Sequence, residues 1–301
     1  MHKISPEPRV YLGKSSFTLK GLHHKQIQQI KSAWGPFLRL NQTEDNKTSA
    51  VFSSRSPQST NSQSLPNCSV QESWEIHFKH EQAPPNLVPD YQRADDLFLS
   101  IQCLQEKRVL SWIDGSLGAI EASIQIVLQR TLAQRGGLLV HASAGIYQGQ
   151  GILVPGPSGV GKSTVAREAG FDQVLSDEMV IVEKVEPSDM LPNMSYQIFS
   201  TPFWSEGRTL PLVMIHAPLS LICYPVKSTY SKLLTCNPAE AITHLLSAIT
   251  LYELASASSQ HHKSILFDIT CHLCTSTLNQ KLLFPKYGPW LHLLSWPKVF
   301  N

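Results

Sequence analysis

Gly156-Pro157-Ser158-Gly159-Val160-Gly161-Lys162-Ser163 fits G-x-x-x-x-G-K-[ST], the pattern of a phosphate-cradling loop. Just before it, Gly151-Ile152-Leu153-Val154-Pro155 is short, apolar and β-branched, the composition of a buried strand. Just after it, Thr164-Val165-Ala166-Arg167-Glu168-Ala169 is long enough for about two turns of helix, closed by Gly170. Strand, glycine-rich turn and helix is the geometry the motif needs. Gly156, Gly159 and Gly161 let the backbone take positive φ and approach an anion closely. Several N–H groups then face one concavity, backed by the partial positive charge of a helix start. Pro157, Ser158 and Val160 complete the loop and Thr164 continues it into the helix, so residues 156–164 form the candidate nucleotide cradle. Lys162 brings a full charge to the outer phosphates, and Ser163 offers a hydroxyl to Mg²⁺.

The chain has 301 residues, enough for one large domain or two modest ones. At 42% hydrophobic it can bury a substantial core, while its 16% charged residues fall below the usual fraction of about a quarter. Lys plus Arg number 25 against 23 for Asp plus Glu, and no basic run stands out, so no nucleic-acid partner is expected. Met1 through Pro6 has no apolar signal core, and no apolar stretch reaches the length of a membrane span. No membrane partner is expected, and the expected location is cytoplasmic. Of the six cysteines, only Cys271-His272-Leu273-Cys274 has metal-like spacing. It lies in a helix-periodic apolar stretch with no second ligand pair at suitable distance, which favours structural thiols.

Along the chain, a helix is expected at Lys25–Trp34 and a flexible Ser/Asn/Gln-rich loop over 41–70. Strands are expected at Trp74–Phe78, Leu97–Leu104 and Arg108–Ile113. Ile120, Ile124, Val127, Leu128 and Leu132 share one face of a helix over 119–135, stopped by Gly136-Gly137. Leu138-Leu139-Val140 reads as a buried strand ending at His141-Ala142-Ser143, with a second short run at Ile146 and Tyr147. Further strands are expected at Phe171–Leu175, Met179–Val185 and Leu219–Tyr224. Helices are expected from Pro238 to about Leu254 and over Ser264–Leu278, followed by a short tail. The order implies α/β with a mixed sheet in the second half.

A nucleotide site also needs a carboxylate near its metal. Asp177 follows Ser163 closely, at the end of a strand expected to run parallel to the one feeding the loop. Glu178 is the next residue, and its side chain points either into the site or away from it. Neither an Asn-Lys-x-Asp sequence nor a long, distant acidic strand is present, so this compact spacing separates the chain from common GTPases and ATPases.

Leu139-Val140-His141-Ala142-Ser143, then Gly151 through Ser163, then Leu175-Ser176-Asp177-Glu178, resembles in this order the catalytic domain of HPr kinase/phosphorylase, a family distantly similar to phosphoenolpyruvate carboxykinase. The resemblance covers roughly 135–225, with a weak continuation to 295. It implies a P-loop kinase domain with a mixed β-sheet at 136–301, preceded by a smaller N-terminal α+β region at 1–135 that serves as an accessory or partner-recognition part. It further implies ATP- and Mg²⁺-dependent phosphorylation of a serine hydroxyl on a protein or peptide. By that resemblance Asp177 is the catalytic acid/base, His141 the active-site histidine that orients Asp177 or meets a phosphate, and Glu178 the second acid, on the metal with Ser163. Where the family usually has Asp at the second position, Glu178 is one methylene longer. Thr201-Pro202-Phe203-Trp204-Ser205-Glu206-Gly207 is similar to a Thr-Pro-Trp segment of HPr-kinase-related proteins from peptide-modification gene clusters. Thr201–Arg208 is therefore expected to line the acceptor site, with Phe203 and Trp204 walling a groove and Glu206 and Arg208 meeting the acceptor. Alternatives are an ATP-binding sensor or scaffold module without catalysis, and a kinase for a small hydroxylated metabolite. Homo-oligomerisation is left open.

Overall fold

The computed structural model describes residues 7–40, 70, 72–84, 86, 91–94, 98–103, 106–185, 195–204, 211–249, 258–288 and 290–293. The loop expected over 41–70 falls almost wholly outside them, as do Glu206 and Arg208. The described part is mixed α/β: two sheets and five α-helices. Among the described residues, no helix is long and apolar enough to cross a membrane.

The first sheet holds β1 (Pro8–Leu12), β2 (Ser15–Lys20), β3 (Leu38–Leu40), β4 (Glu72–Lys79), β5 (Tyr91–Ala94), β6 (Phe98–Cys103) and β7 (Arg108–Ile113), in the order β3-β1-β2-β4-β7-β6-β5. Alternation drives it. In β4, Trp74, Ile76 and Phe78 are buried while Ser73, Glu75 and His77 are not. The buried row packs with Ile27, Ile30 and Trp34 of helix α1 (His24–Trp34).

Helix α2 (Leu117–Gln134) follows, capped by the Ser116 hydroxyl, which accepts from the Ala119 N–H at 3.1 Å. All five residues of the expected apolar face are buried, and so are Ala122, Ile126 and Ala133 on its other sides. A helix apolar nearly all round must be enclosed. Its core is shared with α1 and β4 on one side and with Leu139, Met179 and Ile181 of the second sheet on the other. At its end, the Arg135 guanidinium donates to Glu72 at 3.3 Å, to the Ser15 hydroxyl at 3.0 Å and to Glu183 at 2.9 Å. Burial pushes the Glu183 carboxyl up, and the Arg135 charge opposes that shift.

The second sheet contains β8 (Leu138–Tyr147), β9 (Gln150–Pro155), β10 (Gln173–Ser176), β11 (Met179–Lys184), β12 (Tyr196–Phe199), β13 (His216–Lys227), β14 (Lys232–Thr235) and β15 (Leu278–Phe284). Between β9 and β10 lies helix α3 (Lys162–Glu168); α4 (Pro238–Leu246) and α5 (Ser258–Ser276) come before β15. Through Leu138–His141, β8 pairs antiparallel with β11, and through Ala142–Tyr147 with β9. The β9 strand pairs parallel with β13, which pairs antiparallel with β12, which pairs antiparallel with β11. These pairings close β8, β9, β13, β12 and β11 into a ring. Outside it, β10 lies on β8 in line with β11, β15 lies parallel on β13, and β14 lies antiparallel on β15.

Three expectations need correction. First, β8 does not end at His141-Ala142-Ser143 but runs on through Ile146 and Tyr147 as one strand. Its small residues explain the missed continuity: Gly145 makes room for the Phe171 ring lying against it. Second, α4 stops at Leu246, short of the expected Leu254. The Ala248 carbonyl instead accepts from the His141 N–H at 2.8 Å, and Ile249 bridges Val140. Pairing with β8 overrides the helical periodicity there; residues 250–254 lie outside the described part. Third, α5 ends at Ser276 and Leu278 opens β15 where a tail was expected. Buried Asn279 accepts from the Tyr224 hydroxyl at 3.0 Å, a polar anchor that hid the strand from an apolar pattern.

Candidate phosphate-binding site

The apolar strand β9, with Ile152, Leu153 and Val154 fully buried, delivers the chain to Gly156. Pro157, Ser158 and Gly159 are exposed, and the loop closes at Gly161, the residue before α3. Gly159 and Gly161 have φ of +79° and +112°, the region in which a side chain is strained. A Cβ on Gly161 would also lie 2.6 Å from Phe284 Cζ, whereas around Gly159 there is open space. One glycine is thus needed for packing as well as conformation, the other for conformation alone. Both ends of the loop are tied to β8. The Gly156 N–H donates to the His141 carbonyl at 3.4 Å, and the Ser143 hydroxyl donates to the Lys162 carbonyl at 3.0 Å.

Lys162 is buried, and its ammonium donates to the Pro157 carbonyl at 3.1 Å, across the mouth of the loop. Burial pulls its pKa down, while the charges of Glu178 and Asp177 pull it back up. Ser163 and Thr164 are half-buried in the first turn of α3.

The two acids sit in the break between β10 and β11, along one edge of β8. The expected direction of β10 holds: it runs parallel to β9, with β8 between them, since both are antiparallel to β8. Val174 is in register with Gly145 and Ser176 with Ala144, so one extra residue is accommodated at Leu175. Such a bulge re-aims the side chains beyond it. The Ser176 hydroxyl then accepts from the N–H groups of Glu178 and Met179, both at 3.2 Å, and holds the turn. The Glu178 carbonyl accepts from the Ala142 N–H at 3.0 Å.

Glu178 turns inward. Its Oε1 lies 3.0 Å from His141 Nε2, with the two side chains 38% and 26% exposed. The hydrogen bond from His141 holds the Glu178 carboxyl below the usual carboxylate range; burial opposes this, and the charges of His141 and Lys162 add to it. The acid that His141 meets is therefore Glu178. Asp177 has one carboxylate oxygen fully buried and lies within electrostatic reach of Lys162. The site thus brings together His141, Lys162, Asp177 and Glu178 from β8, α3 and the β10–β11 break.

The Thr201–Arg208 segment is split by the structure. Thr201 is buried, and its hydroxyl donates to the Met179 carbonyl at 2.6 Å, fixing the segment's start one residue from Glu178. Phe203 does not wall a groove: it is 2% exposed and packs edge-on against Trp34, with ring centroids 6.0 Å apart. Large aromatic surface is worth most when buried, and α1 offers that burial. Trp204 is half-buried and donates from Nε1 to the Thr201 carbonyl at 2.9 Å.

Two positioning residues, Ser143 and Ser176, were given no role in the sequence reading, and Thr201, expected there to line the acceptor site, is a buried positioning residue as well. Only Ser176 carried a local signal, as a serine directly before two acids at a turn.

No group of three or more His, Cys, Asp or Glu side chains able to hold a metal occurs among the described residues. The candidate metal ligands from the sequence, Ser163, Asp177 and Glu178, offer hydroxyl and carboxylate oxygens. That set fits Mg²⁺, which takes one or two carboxylates and completes its shell with water and substrate phosphate. In the Cys271–Cys274 stretch, His272 Nδ1 shares a 2.8 Å hydrogen bond with the Tyr196 hydroxyl, and Cys274 is buried.

No protein-family model matches this chain, and no curated protein matches it.

Proposed function

We propose that this chain is an ATP- and Mg²⁺-dependent kinase of the HPr kinase/phosphorylase type that phosphorylates a serine hydroxyl on a protein or peptide. The observation that carries the reading is the placement of Lys162, at the mouth of a glycine loop, within electrostatic reach of both Asp177 and Glu178. A buried ammonium that burial destabilises is a ready partner for phosphate oxygens. In this reading the loop amides and Lys162 hold the β- and γ-phosphates. Ser163 and Glu178 hold Mg²⁺, which neutralises charge on the phosphates when bound. His141 keeps the longer Glu178 side chain aimed at the site. Asp177 accepts the proton of the serine hydroxyl as its oxygen bonds to the γ-phosphorus and the bridging β–γ bond breaks, releasing ADP.

The test is calorimetric titration with MgATP beside radiolabelled transfer to candidate serine peptides and small proteins. The parent is expected to bind ATP, and Lys162→Ala to lose most of that affinity while keeping its melting temperature. Equal affinity in the two would sink the reading. A second reading, a nucleotide-holding module without transfer, is favoured by the engagement of Glu178 with His141. It takes over if the parent binds ATP and labels no serine.

A further inference from the structure

We propose that the nucleoside end of the nucleotide stacks on Tyr230 and Tyr287, across the carboxyl ends of β13 and β15; this subsite rests on the nucleotide reading above. The β9 strand, which feeds the phosphate loop, is parallel to β13, and β13 is parallel to β15, so the three end on one edge. Ligands of α/β sheets gather in the crevice beyond such strand ends. Both downstream strands run beside the loop itself. A Cβ on Gly156 would lie 4.0 Å from Pro225 of β13, and one on Gly161 would meet Phe284 of β15.

Beyond those contacts the two strands stay tied together. Lys227 is in register with Phe284, and the Ser228 N–H donates to the Phe284 carbonyl at 2.9 Å. Three residues past each member of this register pair stands a tyrosine, Tyr230 and Tyr287. They are the most exposed large hydrophobic side chains among the described residues, at 57% and 69%. Rings so exposed add little to the core, yet an aromatic face is what a purine needs for stacking. The backbone presenting Tyr287 is fixed: its carbonyl accepts from Trp290 Nε1 at 3.2 Å, and the Trp290 N–H donates to the Ala169 carbonyl at 3.1 Å, just past α3. Lys286 Nζ lies over one face of the Tyr287 ring, 5.3 Å from its centroid, which assigns the base to the opposite face.

The experiment compares MgATP with inorganic tripolyphosphate as titrants of the parent, Tyr230→Ala, Tyr287→Ala, the double variant and Tyr287→Phe, with melting temperatures in parallel. The double variant is expected to lose ATP affinity by about tenfold or more, the scale of one base–aromatic stack. Tripolyphosphate affinity stays at the parental value, and Tyr287→Phe binds ATP as the parent does. A double variant that binds ATP as tightly as the parent overturns the subsite and leaves the phosphate loop reading standing. Equal losses for ATP and tripolyphosphate also overturn it. A parent that binds neither titrant overturns the nucleotide reading, and the subsite with it.

Discussion

On the seven-stranded sheet, Lys20 meets Glu75, Lys107 meets Glu72 and Arg108 meets Glu106, each cation beside an acid on an adjacent strand or turn. Around the phosphate loop, His141, Lys162, Asp177 and Glu178 arrive from separate elements and converge on one mouth. The first arrangement spreads charge over partly exposed pairs, which are worth about 0–1 kcal/mol each. The second concentrates it where burial already strains Lys162. Charge that satisfies itself locally supports a surface, whereas charge gathered from distant segments at the mouth of a glycine loop, at some cost in solvation, marks a candidate for chemistry; the Arg135–Glu72–Glu183 cluster, also gathered from distant segments, has no such loop beside it.

The strongest way to break this contrast is Asp177→Asn, nearly isosteric but unable to serve as the proposed base. Phosphotransfer is expected to fall by about 10²–10⁴-fold with ATP binding retained, read by single-turnover labelling beside titration. Undiminished transfer would remove Asp177 from the chemistry. Next is Phe203→Ala, which removes a core ring packed on Trp34 and is expected to cost about 3–5 kcal/mol in denaturant unfolding. The acceptor KM of the protein that remains folded should not change. Trp204→Ala is expected to do the reverse, raising the acceptor KM with a smaller loss of stability. A normal acceptor KM in Trp204→Ala would confine Trp204, like Phe203, to packing.

A smaller effect is expected for the Glu178–His141 pair. The folded Glu178 carboxyl titrates below its ordinary value, so the ionised form adds stability above the unfolded carboxylate pKa of about 4.3. That stability is lost as pH falls through the depressed folded value. The melting temperature of the parent should therefore gain on that of Glu178→Gln as pH rises through the acid range, and a constant difference would mean the pair is not coupled to folding. The smallest effect belongs to the other region. A double-mutant cycle on Lys20 and Glu75 should give a coupling of less than about 1 kcal/mol, weakening further in salt. A coupling several times larger would erase the distinction between the two kinds of charge.

What the sequence disclosed follows the range of each interaction. The loop, its feeding strand and its helix are contiguous, and the period-2 and period-3.6 patterns placed β7, α1 and most of α2 closely. The inward turn of Glu178 was undetermined, because it depends on a bulge at Leu175 and on a histidine from another strand. Phe203 was misassigned for the same reason: its partner Trp34 lies in the first part of the chain, and nothing local separates a core ring from a groove wall. Closure of the strand ring was out of reach, since β9 and β13 are joined by residues whose own patterns say nothing about that pairing.

The nearness of Pro225 to Gly156 and of Phe284 to Gly161 carries a consequence for the order of folding. The glycine loop is written early in the domain, but the walls that hold its shape come from strands much later in the chain, through non-local parallel pairings that form slowly. A nascent chain that has made only the loop and its helix possesses the signature without the cradle. Nucleotide affinity should therefore appear late and all at once during refolding, when β15 docks. ATP would then count finished molecules and stabilise only those.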